Sequence, residues 1–433
     1  MEKPRFLITS SPESATFLYT PNTRKDKLDV WPPFPLIVVG NTDSSSRTDN
    51  IVAALEEHNR VCYVMLDLAS QRSDKVLAAM QVPFPELTYL NMGQSFDELL
   101  LVDPLPDPLQ DSFLGGSAPS LRHFSLSDIS FPGLSNLLLS ANHLVSLELE
   151  LISPRSGYIS HEAMVALISA LSSLETLSLG CGGPKSRPEW EIRSLPLPKR
   201  SILPALNKFH FKGFTEYLEN LVTRIDTPQL NILKIKLFNQ NNFDCARLAQ
   251  FINCTPTLRA LDKARAQIEG SFISVKLRCW TSQSGPDYLD TGSSCIELDW
   301  EYLSFEQICH GFYPLSTVKD LYVKYPRYVY PWQNRRDNGL NENTIWLQLL
   351  LPFTAVKNLY LSKEFVPGIA AALQELVEGR LLEALPGLQN IFVDWPGQWG
   401  FFQTNIEPFV AARRLSNRPI VISEWDLDKD SGM

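Results

Sequence analysis

Long apolar runs, paired cysteines, excess positive charge and catalytic signatures are all scarce in this sequence. Its longest strongly apolar, uncharged stretch beside a helix runs from Thr344 to Val356 and is interrupted by Pro352, well short of the ~20 residues that a bilayer-spanning helix needs. After Met1-Glu2-Lys3-Pro4-Arg5 only Phe6-Leu7-Ile8 are apolar before Thr9, too few for the core of a secretory signal, which runs to about 7–15 residues. The 7 cysteines, at 62, 181, 245, 254, 279, 295 and 309, form no CxxC pair. An odd, scattered set in a chain large enough to fold without staples predicts a reduced, intracellular setting, cytoplasmic or nuclear. Asn253-Cys254-Thr255 matches the glycosylation sequon, which carries no weight without a secretory route. The 39 Lys and Arg against 48 Asp and Glu leave a net charge of −9, so no global field gathers nucleic acid or an anionic membrane.

The chemistry-bearing motifs are equally thin. The 6 histidines, 58, 123, 143, 161, 210 and 310, show no HExxH or other ligand spacing. No serine lies in GxSxG, and no cysteine and histidine announce a nucleophile pair. Gly180-Cys181-Gly182-Gly183-Pro184-Lys185-Ser186 has the outline of a phosphate loop, but Pro184 sits where glycine is required and Pro188 follows with no helix signal. It reads as an inter-repeat loop. The acids Glu424, Asp426, Asp428 and Asp430 read as a solvated end rather than a metal site. These readings predict no enzyme, no cofactor and no metal.

What is present is a fold-forming composition and a repeat. Of 433 residues 44% are hydrophobic and 20% charged, enough to bury a substantial core. The pattern L-x-x-L-x-L, with other apolar residues substituting, begins at Val61, Leu87, Leu121, Leu144, Leu174, Leu206, Leu230, Leu258, Cys295, Val318, Val356 and Leu388. The Leu258 copy is the weakest, since Lys263 takes its last apolar place, and Phe272 to Leu277 competes with it for the strand. In Leu121-Arg122-His123-Phe124-Ser125-Leu126 the residues Phe124 and Leu126 share one face and His123 and Ser125 the other, the alternation of a half-buried strand. Pro85, Pro119, Pro204, Pro228, Pro256 and Pro386 stand two residues before the first apolar residue, where each stops a helix. Helical periodicity fills the intervals, as in Ser160–Leu171, which opens on a capping serine and spaces Met164, Leu167, Ile168 and Leu171 along one face. Further helices are expected near 49–57, 73–80, 133–141, 214–225, 244–253, 305–312, 341–351 and 368–385.

A strand with a returning helix, repeated at intervals averaging about 30 residues, cannot close a core alone and must stack on its neighbours. The predicted fold class is therefore α/β: a curved leucine-rich-repeat solenoid of about twelve irregular repeats over 28–426, with tails at 1–27 and 427–433. A doubly wound α/β domain is the rival. A strand order that reverses within the sheet would mark it.

The phrases "DSFLGGSAPSLRHFSLSDISFPGLSNLLLSANHLVSLEL" (111–149), "SGYISHEAMVALISALSSLETLSL" (156–179) and "LPALNKFHFKGFTEYLENLVTRIDTPQLNIL" (203–233), with "RVCYVMLDL" (60–68) and "FVAARRLSNRPIVISEWD" (409–426), resemble the leucine-rich region of F-box proteins from mushroom-forming fungi. The resemblance implies a noncatalytic protein-recognition module, the substrate-binding part of a ubiquitin-ligase receptor. In that family an F-box, which docks the Skp-type adaptor, precedes the segment "LDVWPPFPLIVVG" (28–40). Here 27 residues precede it, without the family's leucine-proline opening. The expectation is thus an adaptor partner only where an F-box lies upstream, and otherwise a leucine-rich-repeat scaffold or ligand sensor unconnected with ubiquitination.

A monomer that binds a protein target would use the wet strand positions. His123 and His210 take matching wet positions of two strands, and Glu148, Glu175, Lys234, Asp299, Tyr322, Tyr360 and Phe392 join them as candidates. The segment Tyr325–Arg336 adds Tyr328 and Trp332, and Trp395, Trp399, Phe401 and Phe402 add a second aromatic group, each either a partner-binding surface or a cap that packs an insertion against the adjacent repeat. Aromatics and arginine dominate interface hot spots because they bury large rigid area and direct hydrogen bonds.

Overall fold

The structure is a computed structural model. It describes residues 7–8, 15–19, 34–69, 73–94, 109–129, 131, 133–151, 159–181, 200–237, 246–258, 261–269, 272–278, 295–301, 313–323, 346–347, 349–362, 365–376, 384–394 and 399–425. The fold is mixed α/β, and the chain divides into two compact units, Met1–Phe209 with Arg224–Thr227, and His210–Thr223 with Pro228–Met433.

The first unit contains β1 (Leu7–Ile8), β2 (Ala15–Tyr19), β3 (Leu36–Asn41), α1 (Ser45–Glu56), β4 (Val61–Leu68), α2 (Ser73–Ala79), β5 (Tyr89–Gln94), β6 (His123–Ser127), α3 (Leu134–Ser140), β7 (Ser146–Leu151), α4 (His161–Ser169), β8 (Thr176–Cys181) and β9 (Ser201–Ile202). The division falls inside β10 (Lys208–Gly213), and β11 (Ile225–Asp226) returns to pair with β9. Strands β2 to β8 pair parallel in strict chain order.

The second unit contains α5 (Thr215–Val222), β12 (Ile232–Leu237), α6 (Ala246–Cys254), β13 (Lys263–Glu269), β14 (Phe272–Arg278), β15 (Cys295–Glu301), β16 (Asp320–Val323), β17 (Asn358–Ser362), α7 (Val366–Glu375), β18 (Asn390–Asp394), α8 (Trp399–Leu415) and β19 (Val421–Glu424). Here the order departs from the chain. It runs β12-β15-β14-β13-β16-β17-β18-β19, so a reversal, the order expected only of a doubly wound sheet, does occur over β15-β14-β13. It is built around β14, which is antiparallel to both of its neighbours; the other pairs are parallel and follow the chain from β16 to β19.

The repeat pattern explains the strands. In nearly every copy the strand begins two residues after the first apolar residue, as at Leu87 and Tyr89, Leu121 and His123, Leu144 and Ser146, or Leu388 and Asn390. That first residue is buried at the end of a tight turn: the amides of Leu87, Leu121, Leu206 and Leu388 donate to the carbonyls three residues back, at 3.0–3.3 Å. The prolines at 85, 119, 204 and 386 occupy the second place of those turns, where a fixed φ near −65° is already correct. Proline here shapes the entry to the strand, besides ending what comes before.

A second backbone device repeats with the same period. The carbonyl one residue after the first apolar residue accepts two amides from the next repeat. Thr88 O takes Arg122 N and His123 N, Arg122 O takes Val145 N and Ser146 N, and Val145 O takes Glu175 N and Thr176 N, at 2.8–3.0 Å. Lys319 O takes Lys357 N and Asn358 N, and Lys357 O takes Gln389 N and Asn390 N, at 2.8–3.1 Å. The alternating inward residues, such as Leu90, Met92, Phe124, Leu126, Leu147, Leu149, Leu359, Leu361, Ile391 and Val393, are all buried.

This ladder corrects two copies. Asp262 O accepts Lys319 N at 2.7 Å and Asp320 N at 3.2 Å, which makes Leu261, not Leu258, the first residue of its copy, with Ala264 and Ala266 fully buried in the inward places. Phe272–Leu277 is a strand as well, but as the antiparallel partner of β13, reached through Gly270-Ser271 in sequence, a dipeptide suited to a tight hairpin. The Cys295 copy is displaced by two residues: Ile296 and Leu298, not Leu298 and Trp300, lie opposite Leu233 and Ile235.

Helices cover the inward face with the predicted polarity. Ser160 Oγ accepts from Ala163 N at 3.2 Å at the start of α4, whose Met164, Leu167 and Ile168 are buried. In the second unit buried Glu219 on α5 reaches the first turn of α6, accepting from Arg247 N at 2.9 Å and Leu248 N at 2.7 Å. One repeat of the first unit contains a short 3₁₀ turn, Phe113–Gly116, ahead of its strand β6. There Gly115 sits at φ +68° and a Cβ would lie 2.7 Å from Pro83 Cγ, so glycine is required twice over. Helix α8, absent from the sequence expectations, carries Pro408 in its interior and fully buried Arg413. Arg413 Nη2 donates to Pro386 O at 3.3 Å and Leu388 O at 3.0 Å, and Arg418 Nη1 donates to Pro386 O at 2.9 Å. Burial pulls the Arg413 guanidinium below its ordinary value, and nearby Arg418 adds to this.

Candidate functional site

The outward residues of the strands form continuous rows. In the second unit the longest row crosses eight strands in register: Lys234, Glu297, Lys276, Arg265, Tyr322, Tyr360, Phe392 and Ser423. Its first half is charged. Glu297 bridges Lys276 at 2.5 Å and Lys234 at 3.6 Å, so one carboxylate is held between two lysines, with Arg265 beyond Lys276 in the row. Its second half is aromatic: Tyr322 stacks on Tyr360 with centroids 4.2 Å apart and planes 7° from parallel, and Tyr360 on Phe392 at 4.6 Å and 11°. Parallel in-register strands place like side chains about 4.8 Å apart, which is why identical positions in consecutive repeats produce a stack. Trp425, just beyond β19 and 7% exposed, meets Tyr360 and Tyr322 edge-on at 5.2 and 5.9 Å.

The neighbouring row is polar. Asn358 Nδ2 donates to Asp320 Oδ1 at 2.6 Å, and Asn390 Nδ2 to Asn358 Oδ1 at 2.7 Å. This amide ladder fixes three side chains beside the three stacked rings. Both ladders restrict rotamers before any partner arrives, so less entropy remains to be lost on binding.

The first unit has its own, differently charged face. Tyr63 stacks on Tyr89 at 4.1 Å and 5°, and Tyr89 leans on His123 at 5.6 Å and 39°. Burial pushes the Tyr63 phenol up to about 12, aided by its hydrogen bond to Tyr89 and that neighbour's charge. Glu148 is exposed on β7 and accepts from Ser125 Oγ at 3.3 Å. Strands β3 to β8 contain no lysine or arginine, while Asp67, Glu148 and Glu150 supply carboxylates. Gly180 on β8 lies opposite Glu150, and a Cβ there would sit 2.9 Å from Glu150 Cγ. Close strand contact therefore accounts for this glycine; residues 182–199 lie outside the described residues.

The expected site residues sort as follows. Tyr322, Tyr360 and Phe392 come together in one stack, and Lys234 stands in the same row. Asp299 falls one row away, opposite Lys236 and Ser274. His123 and His210 do not match: His123 is two residues beyond its first leucine and His210 four, one row apart in the repeat. Glu175 stands one residue ahead of β8, exposed, with its backbone carbonyl in the carbonyl ladder at Asn207 N and Lys208 N. Tyr328 and Trp332 lie outside the described residues, as does Trp395; Trp399 opens α8, and its side chain and those of Phe401 and Phe402 are likewise outside the description. Sequence reasoning missed Trp425, Arg265, Lys276, Tyr63 and Tyr89. The two tyrosines were readable, since both occupy the third place of their copies.

Among the described residues no group of His, Cys, Asp and Glu could hold a metal ion, and no helix is long and apolar enough to cross a membrane. No family model matches the sequence, and no curated protein matches it. Among solved structures the chain is similar to the leucine-rich repeat-containing protein LegL7 from Legionella pneumophila, at 12% identity over 91% of this chain and 97% of that one, with a TM-score of 0.28, a likeness too loose to carry an argument about fold or function.

Proposed function

We propose that this chain is a noncatalytic protein-recognition module: an intracellular leucine-rich-repeat solenoid whose outward strand face docks a protein, as the substrate-binding part of an F-box ubiquitin-ligase receptor would. The observation that carries the reading is the in-register stack of Tyr322, Tyr360 and Phe392, half-exposed on a parallel sheet. Large rigid aromatic area, held in place by the fold, is what interface hot spots are made of. The strand periodicity and the repeated carbonyl ladder support the solenoid arrangement, in which the outward strand face of each unit is available to a partner.

The test is cross-linked affinity capture from the native source, comparing the wild-type chain with a Tyr322→Ala, Tyr360→Ala, Phe392→Ala triple variant of matched thermal stability. Specific partners captured by the wild type are expected to fall at least about fivefold with the variant, a threshold that the loss of one hot-spot contact already exceeds. Equal capture by both would overturn the site. Co-capture of a Skp-type adaptor and a cullin supports the receptor; a partner captured without them supports a scaffold unconnected with ubiquitination.

A further inference from the structure

We infer that the outward row of the second unit takes an extended peptide segment with acidic residues at one end and apolar or aromatic residues at the other. This rests on the docking reading above and specifies its partner. The row is divided by chemistry rather than mixed: Lys234, Glu297, Lys276 and Arg265 on β12, β15, β14 and β13, then Tyr322, Tyr360 and Phe392 on β16, β17 and β18.

The charged half carries a net excess of two cations in a chain whose net charge is −9. Glu297 is spanned by Lys234 and Lys276 and thereby holds both amines over its own strand. Beside it Lys263 on β13 lies opposite Asp320, whose carboxylate already accepts from Asn358. A local cationic field in an acidic protein selects carboxylate-bearing partners and repels basic ones, which sets specificity more than affinity. The aromatic half offers stacked rings and no cation on β16 to β18 in the same row, so it accepts apolar side chains.

Geometry sets the length. Six steps between seven strands at about 4.8 Å give about 29 Å, the reach of about nine residues of extended chain at ~3.3 Å each. Basic and aromatic side chains also suit single-stranded nucleic acid, but the overall negative charge opposes a polyanion over any longer stretch. A second copy of this chain is the remaining occupant, because strands β3 to β8 present carboxylates and no basic residue.

The experiment is selection of a random library of about nine-residue peptides on the immobilised full chain, repeated on Lys276→Ala and on Tyr360→Ala chains of wild-type stability. The expected result is enrichment of peptides with an acidic end and an apolar end, whose fluorescence-anisotropy affinity falls at least about fivefold with either variant and weakens with added salt. Variant-sensitive peptides that are neutral or basic would overturn the acidic partner and leave the docking reading standing. Peptides enriched without sensitivity to either variant would overturn the docking row itself. Tighter anisotropy binding of a labelled single-stranded oligonucleotide than of any selected peptide would overturn the inference in favour of nucleic acid. A concentration-dependent dimer in light scattering, abolished by Lys276→Ala, would overturn it in favour of self-association.

Discussion

At the scale of single residues the structure assigns measurable states. Tyr63 is packed flat against Tyr89, and burial, then the Tyr89 hydrogen bond, raise its phenol from the ordinary 10 to about 12. A raised value means that the fold favours the neutral phenol, so this contribution to stability is intact below pH 10 and is lost as pH climbs from 10 towards about 12. In an ultraviolet titration, the difference between wild type and Tyr63→Phe is expected to show a native transition near 12 and an unfolded one near 10. Tyr89→Phe should bring the native value down. A native Tyr63 transition near 10 in the wild type would mean that the ring is not desolvated by its stack. Glu162 behaves in the opposite sense. Burial works against its charge, but its own backbone amide, His161 and Arg224 hold the carboxyl below the usual range, with Arg224 Nη2 at 3.1 Å from Oε1. Its stabilising effect is present above the unfolded carboxylate value and is lost as pH falls through the lowered one.

At the scale of elements, Glu219 links α5 to the start of α6 by taking two amides that the helix cannot satisfy itself. Glu219→Ala leaves the buried Leu248 amide and the partly buried Arg247 amide without this acceptor and is expected to cost about 1–3 kcal/mol, read as a shift of the urea midpoint at unchanged slope. Glu219→Gln keeps an acceptor and should cost less; equal costs would show that packing, not hydrogen bonding, holds the pair. The same scale shows what was legible in the sequence. Copies with leucine, isoleucine, valine or phenylalanine in the inward places, such as Leu121-x-x-Phe124-x-Leu126, declared their strands, because size and alternation both mark a buried row. Copy Leu261-x-x-Ala264-x-Ala266 did not, since alanine is as common on helices as in sheets and Lys263 disturbed the pattern. Helix α8 was hidden by Pro408, which reads as a breaker, and by Arg413, a residue type seldom fully buried. Tyr322, Tyr360 and Phe392 were legible as a group, as they share one place in consecutive copies. Their charged continuation was not, because it depends on β15 lying beside β12, a pairing with no local signal.

At the scale of the whole molecule, cohesion depends on how strands hand contacts to one another. In the first unit β3 to β8 pair only in chain order, and each carbonyl of the ladder ties one repeat to the next. Stability in such an array is a sum of repeat terms and nearest-neighbour terms, so damage should spread from its origin rather than appear everywhere at once. Leu126 on β6 is an informative place to inflict it, being buried to 1% exposure between Met92 and Leu149 in the registers on either side. Leu126→Ala removes about 2–5 kcal/mol through lost burial and the cavity left behind. Amide hydrogen exchange should then show the largest loss of protection in β5, β6 and β7, a smaller loss in β4 and β8, and the least in β3. Equal loss across all six strands would mean that the unit opens as one cooperative body and that the nearest-neighbour account is wrong. A graded loss would also bear on the outward face of this unit, since a stretch of it near β6 could lose order while the Tyr63–Tyr89 stack, set on β4 and β5, is disturbed less than β6 itself.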